Sequence, residues 1–85
     1  MHKPVTVYSK PNCQPCRATK KWLDRRGITY REVNLLESPD DLAAAIDLGY
    51  KESPVVVVGT WSDESWSGFD TDQLEYHFPT GLAAA

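Results

Sequence analysis

Hydrophobic positions along this chain recur with two spacings, and the switches between them mark out its elements. Val5-Thr6-Val7-Tyr8 is short, β-branched and aromatic, which predicts a strand, and Ser9-Lys10-Pro11-Asn12 predicts the turn after it. From Pro15 to about Arg26 the residues favour helix, with Ala18, Trp22 and Leu23 forming one apolar stripe. Pro15 suits the first turn, where its missing N–H is not needed, and Gly27 suits the stop. Ile28 to Leu36 returns to alternation, with Ile28, Tyr30 and Val33 among polar residues, and predicts a second strand. Ser38-Pro39-Asp40-Asp41 reads as a helix start: a Ser N-cap, Pro at the first helical position, and acidic residues that complement the helix dipole. That helix continues through Leu42 to Leu48 and ends at Gly49.

Val55 to Val58 is an unbroken apolar run directly after Pro54, which predicts a strand covered on both faces and therefore central in its sheet. Gly59 to Glu64 is polar and turn-like apart from Trp61. Ser65 to Ser67 predicts a short edge strand, and Asp70 or Thr71 can cap a last helix through Phe78, stopped by Pro79 and Gly81. The order β-α-β-α-β-β-α requires a crossover between the first two strands, which are then parallel. The last two are joined by a loop that permits only an antiparallel hairpin. The predicted fold is α/β, a four-stranded mixed sheet flanked by three helices, as one domain over residues 1–85. The Ala-rich tail Leu82–Ala85 adds nothing to it.

Composition changes this picture little. Apolar residues make up 41% and charged residues 25% of the 85, ordinary values for a soluble globular domain. A formal net charge of −3 argues against nucleic acid or an anionic membrane as a partner, since both reward a basic face. No stretch approaches the ~20 apolar residues of a membrane span. The basic start Met1–Lys3 leads into a strand rather than a signal-type apolar region. The expected place is the cytoplasm, and the expected state a monomer.

The two cysteines, Cys13 and Cys16, carry the candidate chemistry. A reducing cytosol rarely keeps structural disulfides, and closing so short a loop would restrict the unfolded chain little, so redox catalysis or metal binding explains the pair better than stapling. Cys13-Gln14-Pro15-Cys16 falls where the first strand's carboxyl end meets the first helix, the edge at which open α/β sheets gather reactive groups. The thiolate is the nucleophile, and unpaired amides with the positive dipole end of a helix stabilise an anion there. Cys13, at the helix entrance, is expected to ionise more readily and to attack a substrate disulfide. Cys16, about one turn further in, is expected to be shielded and to resolve the mixed disulfide by attacking the Cys13 sulfur. Lys10, in the same turn as the nucleophile, either adds positive potential or belongs to a solvated basic face; for Arg17 the solvated face is the preferred reading. Ser53-Pro54 is the second feature, because a proline opening a central strand fits best at the strand's first residue, where a cis bond would let it abut the cysteine turn. The residues alone leave the isomer open.

The order of elements with C-x-x-C after the first strand resembles the thioredoxin superfamily and, within it, the glutaredoxins. Val7-Tyr8-Ser9-Lys10-Pro11-Asn12-Cys13 and Pro54-Val55-Val56-Val57 are similar to glutaredoxin signatures. Trp66-Ser67-Gly68-Phe69 followed by Asp72, with Cys16-Arg17-Ala18-Thr19-Lys20, resembles the segments that mark NrdH-redoxins, and the likeness runs from about Val5 to Phe78. This resemblance implies a glutaredoxin-like protein with thioredoxin-like activity, reduced by NADPH-dependent thioredoxin reductase and donating electrons to class Ib ribonucleotide reductase. It implies Cys13 as attacking thiol, Cys16 as resolving thiol, Pro54 as a cis-proline after Ser53, and Trp66, Ser67, Gly68 and Phe69 as the segment beside the active site, with Gln14 and Pro15, that meets partners. It calls for no cofactor and no metal.

Two departures from the pattern matter. Gln14-Pro15 stands where the family commonly has Val-Gln, and a proline before the second cysteine is the thioredoxin arrangement. That points to the reducing end of the range from ~−270 mV for thioredoxin to ~−200 to −230 mV for glutaredoxins. The hairpin Gly59–Ser65 is also longer than is usual, at a place where loops tolerate insertion. Glutaredoxins commonly bind glutathione through a Lys like Lys10, the cis-proline edge and a Gly-Gly then acidic segment. Here Ser67-Gly68 replaces the paired glycines, and a side chain at Ser67 hinders close backbone approach, so glutathione is not the expected reductant. Asp70 or Asp72 still offers a carboxylate, and a glutathione-dependent glutaredoxin is the alternative. From a different class come a metal or iron–sulfur scaffold, for which two Cys and two poorly placed His fall short of the usual zinc set, and a redox-silent interaction module.

The remaining aromatics and histidines read more plainly. Trp22 and Phe69 are expected in the core, Tyr8 beneath the cysteine turn, and Trp61 exposed on the hairpin. Trp66 fits core packing and partner contact equally. His2 falls in the terminus, and His77 complements the C-terminal dipole of the last helix.

Overall fold

Residues 3–79 are described by the computed structural model; His2, Gly81 and the tail Leu82–Ala85 lie outside them. Strand β1 (Val5–Ser9) leads into helix α1 (Gln14–Arg25), then β2 (Arg31–Asn34), a 3-10 turn at Leu35–Glu37, α2 (Pro39–Asp47), β3 (Val55–Val58), β4 (Glu64–Ser67) and α3 (Thr71–His77). The sheet order is β2-β1-β3-β4, with β1 parallel to β2 and antiparallel to β3, and β3 antiparallel to β4. No helix among the described residues is long and apolar enough to cross a membrane.

The valine run explains why the sheet is covered twice. Successive side chains of a strand point to opposite faces. Val56 and Val58, with Val5, Val7 and Trp66, pack against Leu23, Ile28, Leu74 and Phe78 from the α1 and α3 side. Val55 and Val57, with Tyr8, pack against Leu35 and Ala45 from the α2 side, joined by partly buried Val33, Leu42, Tyr50 and Trp61. At roughly 1.5–3 kcal/mol for each large apolar side chain removed from water, these two layers fix the strand order. The same alternation corrects the expectation for Tyr8: with Val7 facing α1, Tyr8 faces α2 and does not lie under the cysteine turn.

The second strand is shorter than the alternation predicted. Its first candidate, Ile28, donates its N–H to the Leu23 carbonyl at 3.0 Å and so closes the end of α1 instead. At the far end the Asn34 side chain accepts the Leu36 N–H at 2.9 Å and turns the chain into the 3-10 segment. Gly27, at φ +67, supplies the left-handed position that stops α1. Trp22 is half-buried against the core edge, with the Arg26 guanidinium 4.0 Å from its ring centre.

Trp61 is not the exposed hairpin residue expected. Its ring stacks on Tyr8 at 4.8 Å, and its indole N–H donates to Asp41 Oδ1 at 3.1 Å. The loop is folded back by Asp63, whose carboxylate accepts the Thr60 N–H at 2.8 Å while its own N–H donates to the Thr60 carbonyl. The longer hairpin is therefore latched to the start of α2. Asp41 is held below the ordinary carboxylate range first by the Ser38 hydroxyl; burial opposes this next most strongly, and Trp61, Arg31 and Tyr8 add smaller lowering effects.

Leu23 is fully buried and Leu36 is 61% exposed. Leu23→Ala is expected to lower unfolding stability by about 2–5 kcal/mol and Leu36→Ala by less than about 0.5 kcal/mol, read from urea titrations. A carboxylate with a depressed folded-state pKa contributes stability that is present above its unfolded pKa and lost as pH falls through the folded one. The wild-type urea midpoint is therefore expected to drop on acidification below about pH 4, and Asp41→Asn to remove part of that drop.

Candidate functional site

Cys13 is the N-cap of α1, with extended backbone (φ −110, ψ 107), and its sulfur accepts the Cys16 N–H at 3.1 Å. Its carbonyl accepts the Arg17 N–H at 3.2 Å, the first bond of the helix. A sulfur thus occupies the place usually taken by a Ser or Asp oxygen at a helix start. The chain enters this turn through Asn12 at φ +57, a left-handed position that Asn tolerates better than most non-glycine residues. Cys13 and Cys16 form a disulfide with Cα atoms 5.2 Å apart. Cys16 is 2% exposed and Cys13 is half-buried, so one sulfur is open to a partner and the other is not.

The Ser53 hydroxyl lies 3.4 Å from Cys13 Sγ, and the Ser53–Pro54 bond is cis. The Pro54 carbonyl accepts the Gly68 N–H at 2.8 Å, which ties the opening of β3 to the end of β4. Gly68 sits at φ +83, a conformation that L side chains rarely adopt, and the Glu52 carboxylate lies beside it. Cys13, Gln14, Pro15, Lys10, Ser53, Gly68 and Phe69 line one depression beside the disulfide. Phe69 is 42% exposed there and is not a core residue, because the turn at Gly68 swings it outward. Trp66 is 5% exposed, stacked on His77 at 5.2 Å, which places it in the core and not at the surface. Ser67 stays in β4, paired with Val55, and Asp70 accepts the Gln73 N–H as N-cap of α3.

On the other side of the disulfide a second depression is lined by Ser9, Cys13, Cys16, Lys20, Glu32 and neighbouring polar groups. Glu32 Oε2 accepts from Lys20 Nζ at 2.7 Å and from the buried Ser9 hydroxyl at 2.9 Å. The Lys20 hydrogen bond is the largest effect and holds the Glu32 carboxyl below its usual range; burial opposes it, and Ser9 adds a smaller lowering effect. Sequence reasoning missed Glu32 because its approach depends on the parallel register that sets Glu32 opposite Val7. Only the i, i+4 spacing of Cys16 and Lys20 was visible beforehand. Among the described residues no cluster of three or more His, Cys, Asp or Glu side chains is arranged to hold a metal.

A cysteine pair at a helix entrance, facing a cis-proline that opens a central strand, on a four-stranded mixed sheet, defines a thioredoxin-fold thiol–disulfide oxidoreductase. The chain belongs to the glutaredoxin family, whose profile matches residues 5–60. It is similar to the glutaredoxin-like protein NrdH of Lactococcus lactis subsp. cremoris, 40% identical over 70 residues that cover 82% of this chain and 93% of that one. NrdH of Salmonella typhimurium is 38% identical over 80 residues, covering 94% of this chain and 95% of that one. Among solved structures, the NrdH-redoxin of Escherichia coli superposes with a TM-score of 0.80 at 32% identity, over 91% of this chain and 97% of that one. That protein is described as glutaredoxin-like with a thioredoxin-like activity profile.

The left-handed backbone at Asn12 makes a sharp test of the turn. Asn12→Gly is expected to keep the melting temperature within a few degrees, whereas Asn12→Val is expected to lose roughly 1–2 kcal/mol in chemical denaturation.

Proposed function

We propose that this protein reduces protein disulfides with Cys13 as attacking thiol and Cys16 as resolving thiol, serving class Ib ribonucleotide reductase and drawing its own electrons from an NADPH-dependent thioredoxin reductase. The observation that carries the roles is the amide of Cys16 aimed at the Cys13 sulfur, with Cys16 itself buried. A thiolate at position 13 gains a charge-assisted hydrogen bond and the positive end of α1, both of which favour the anion at neutral pH.

The Cys13 thiolate attacks one sulfur of a substrate disulfide, forming a mixed disulfide and releasing the other sulfur as a thiolate. Cys16 loses its proton and attacks the Cys13 sulfur; the internal disulfide forms, and the second substrate sulfur departs. Two electrons and two protons reach the substrate, and the reductase returns them to the protein. Ser53 and Lys10 support the reacting sulfur, Ser53 from hydrogen-bonding range and Lys10 as an exposed cation in the same turn. Pro54 holds the backbone opposite the disulfide, and Gln14, Pro15 and Phe69, with Gly68 shaping the turn and Ser67 at its edge, give partners a surface. Trp66 supports that surface from beneath.

Thioredoxin reductase is favoured over glutathione by two observations. Asp70 is committed to capping α3, and the Glu52 carboxylate beside Gly68 would oppose the carboxylates of glutathione. A monomer in the cytoplasm, needing neither membrane nor nucleic acid, fits this role.

Reduction of insulin disulfides is expected to proceed strongly with NADPH and thioredoxin reductase, and at background level with glutathione and glutathione reductase. The reverse result would make the protein an ordinary glutaredoxin. Cys13→Ser is expected to abolish turnover, whereas Cys16→Ser should trap a mixed disulfide visible by mass spectrometry. Retained turnover in Cys13→Ser would end the assignment of roles.

A further inference from the structure

Lys20 is the cation nearest in sequence to Cys16 on the same face of α1, four residues on and hence one turn away. It does not hang free. Its ammonium is drawn to β2 by Glu32 at 2.7 Å, and Glu32 is in turn fastened by the buried Ser9 hydroxyl at 2.9 Å. This pair stands in the depression that both cysteines line, together with Lys10, Arg17 and Glu37 as its other charged groups and Asn34 as a neutral one.

We infer that Glu32 and Lys20 are positioning residues that set the acidity and redox balance of the dithiol, by cancelling one another's charge beside the two sulfurs. The inference rests on the dithiol reading above. With the pair intact, a thiolate in the depression meets little net charge from it. Removing Glu32 releases a mobile ammonium one helical turn from Cys16 and deletes a negative charge, and both changes favour the thiolate. Removing Lys20 leaves a carboxylate alone in the same space, which disfavours the thiolate. Because the reduced protein gains stability from its thiolates, the first change makes the dithiol less reducing and the second more so.

Three variants separate this from a structural role: Glu32→Gln, Lys20→Met, and the two combined. The reduced proteins are titrated by thiolate absorbance and by iodoacetamide alkylation of Cys13 across pH. They are also equilibrated with dithiothreitol, which exchanges two electrons and two protons with the pair. Glu32→Gln is expected to lower the reactive thiol's pKa by roughly half a unit, speed its alkylation near pH 6 about threefold, and shift the dithiothreitol equilibrium about threefold toward the reduced protein. Lys20→Met is expected to move all three readings the other way by similar factors, and the double variant to return close to wild type. Loss of packing alone would move both single variants in one direction or leave the thiol unchanged, and either result overturns the inference. The thiol titration needs no substrate. A wild-type protein unable to reduce insulin would therefore end the dithiol reading, while the titration would still measure how Glu32 and Lys20 act on the thiol.

Discussion

The amide of Cys16 pointing at the Cys13 sulfur is the interaction on which the rest of the site depends. At most helix entrances a side-chain oxygen accepts that proton, and the bond serves stability. Here sulfur does so, and under the proposed roles of the two thiols helix capping and nucleophile activation become one contact. A neutral or disulfide sulfur is a weak acceptor and a thiolate a strong one, so the interaction strengthens as the protein is reduced and ionised. The surrounding structure holds this geometry in place: Asn12 brings the chain in through a left-handed turn, and Gly68 bonds to Pro54 so that the opening of β3 stays against the cysteines.

Burial then divides the labour. Cys16 is buried in the first turn of α1 while Cys13 is half-buried beside Ser53, so under the proposed mechanism an incoming disulfide meets Cys13 first. The two depressions flanking the disulfide differ in kind. One is edged by Pro15, Phe69 and Gly68. The other is lined largely by polar and charged side chains, with Ser9, Lys20 and Glu32 linked to one another.

Much of this was legible in the sequence wherever local rules are enough. The valine run and the Pro15 and Pro39 helix starts each depend on residues within one turn, and the structure places them as read; of the two caps offered for the last helix, Asp70 and Thr71, it uses Asp70. Ser38 shows where the local rule bends: it precedes α2 as expected, yet its hydroxyl bonds the Asp41 side chain instead of a backbone amide. The misread residues depend on contacts or backbone turns that strand and helix periodicity does not report. Ile28 was drawn out of its strand by α1, Trp61 crossed from the hairpin to Tyr8 and Asp41, and Phe69 was turned outward by the backbone at Gly68. Nothing in the spacing of residues announces a contact between positions 20 and 32, because it follows from strand register.

The strand order has one more effect. Its apolar strands, β1 and β3, lie inside the sheet, and the two open rims belong to β2 and β4. Those rims are only four residues long and carry Arg31, Glu32 and Asn34 on one side and Glu64, Ser65 and Ser67 on the other. Short, charged rims are poor templates for further pairing. Any strand added from another chain would therefore have to pair at those rims and not along the valine-rich segments.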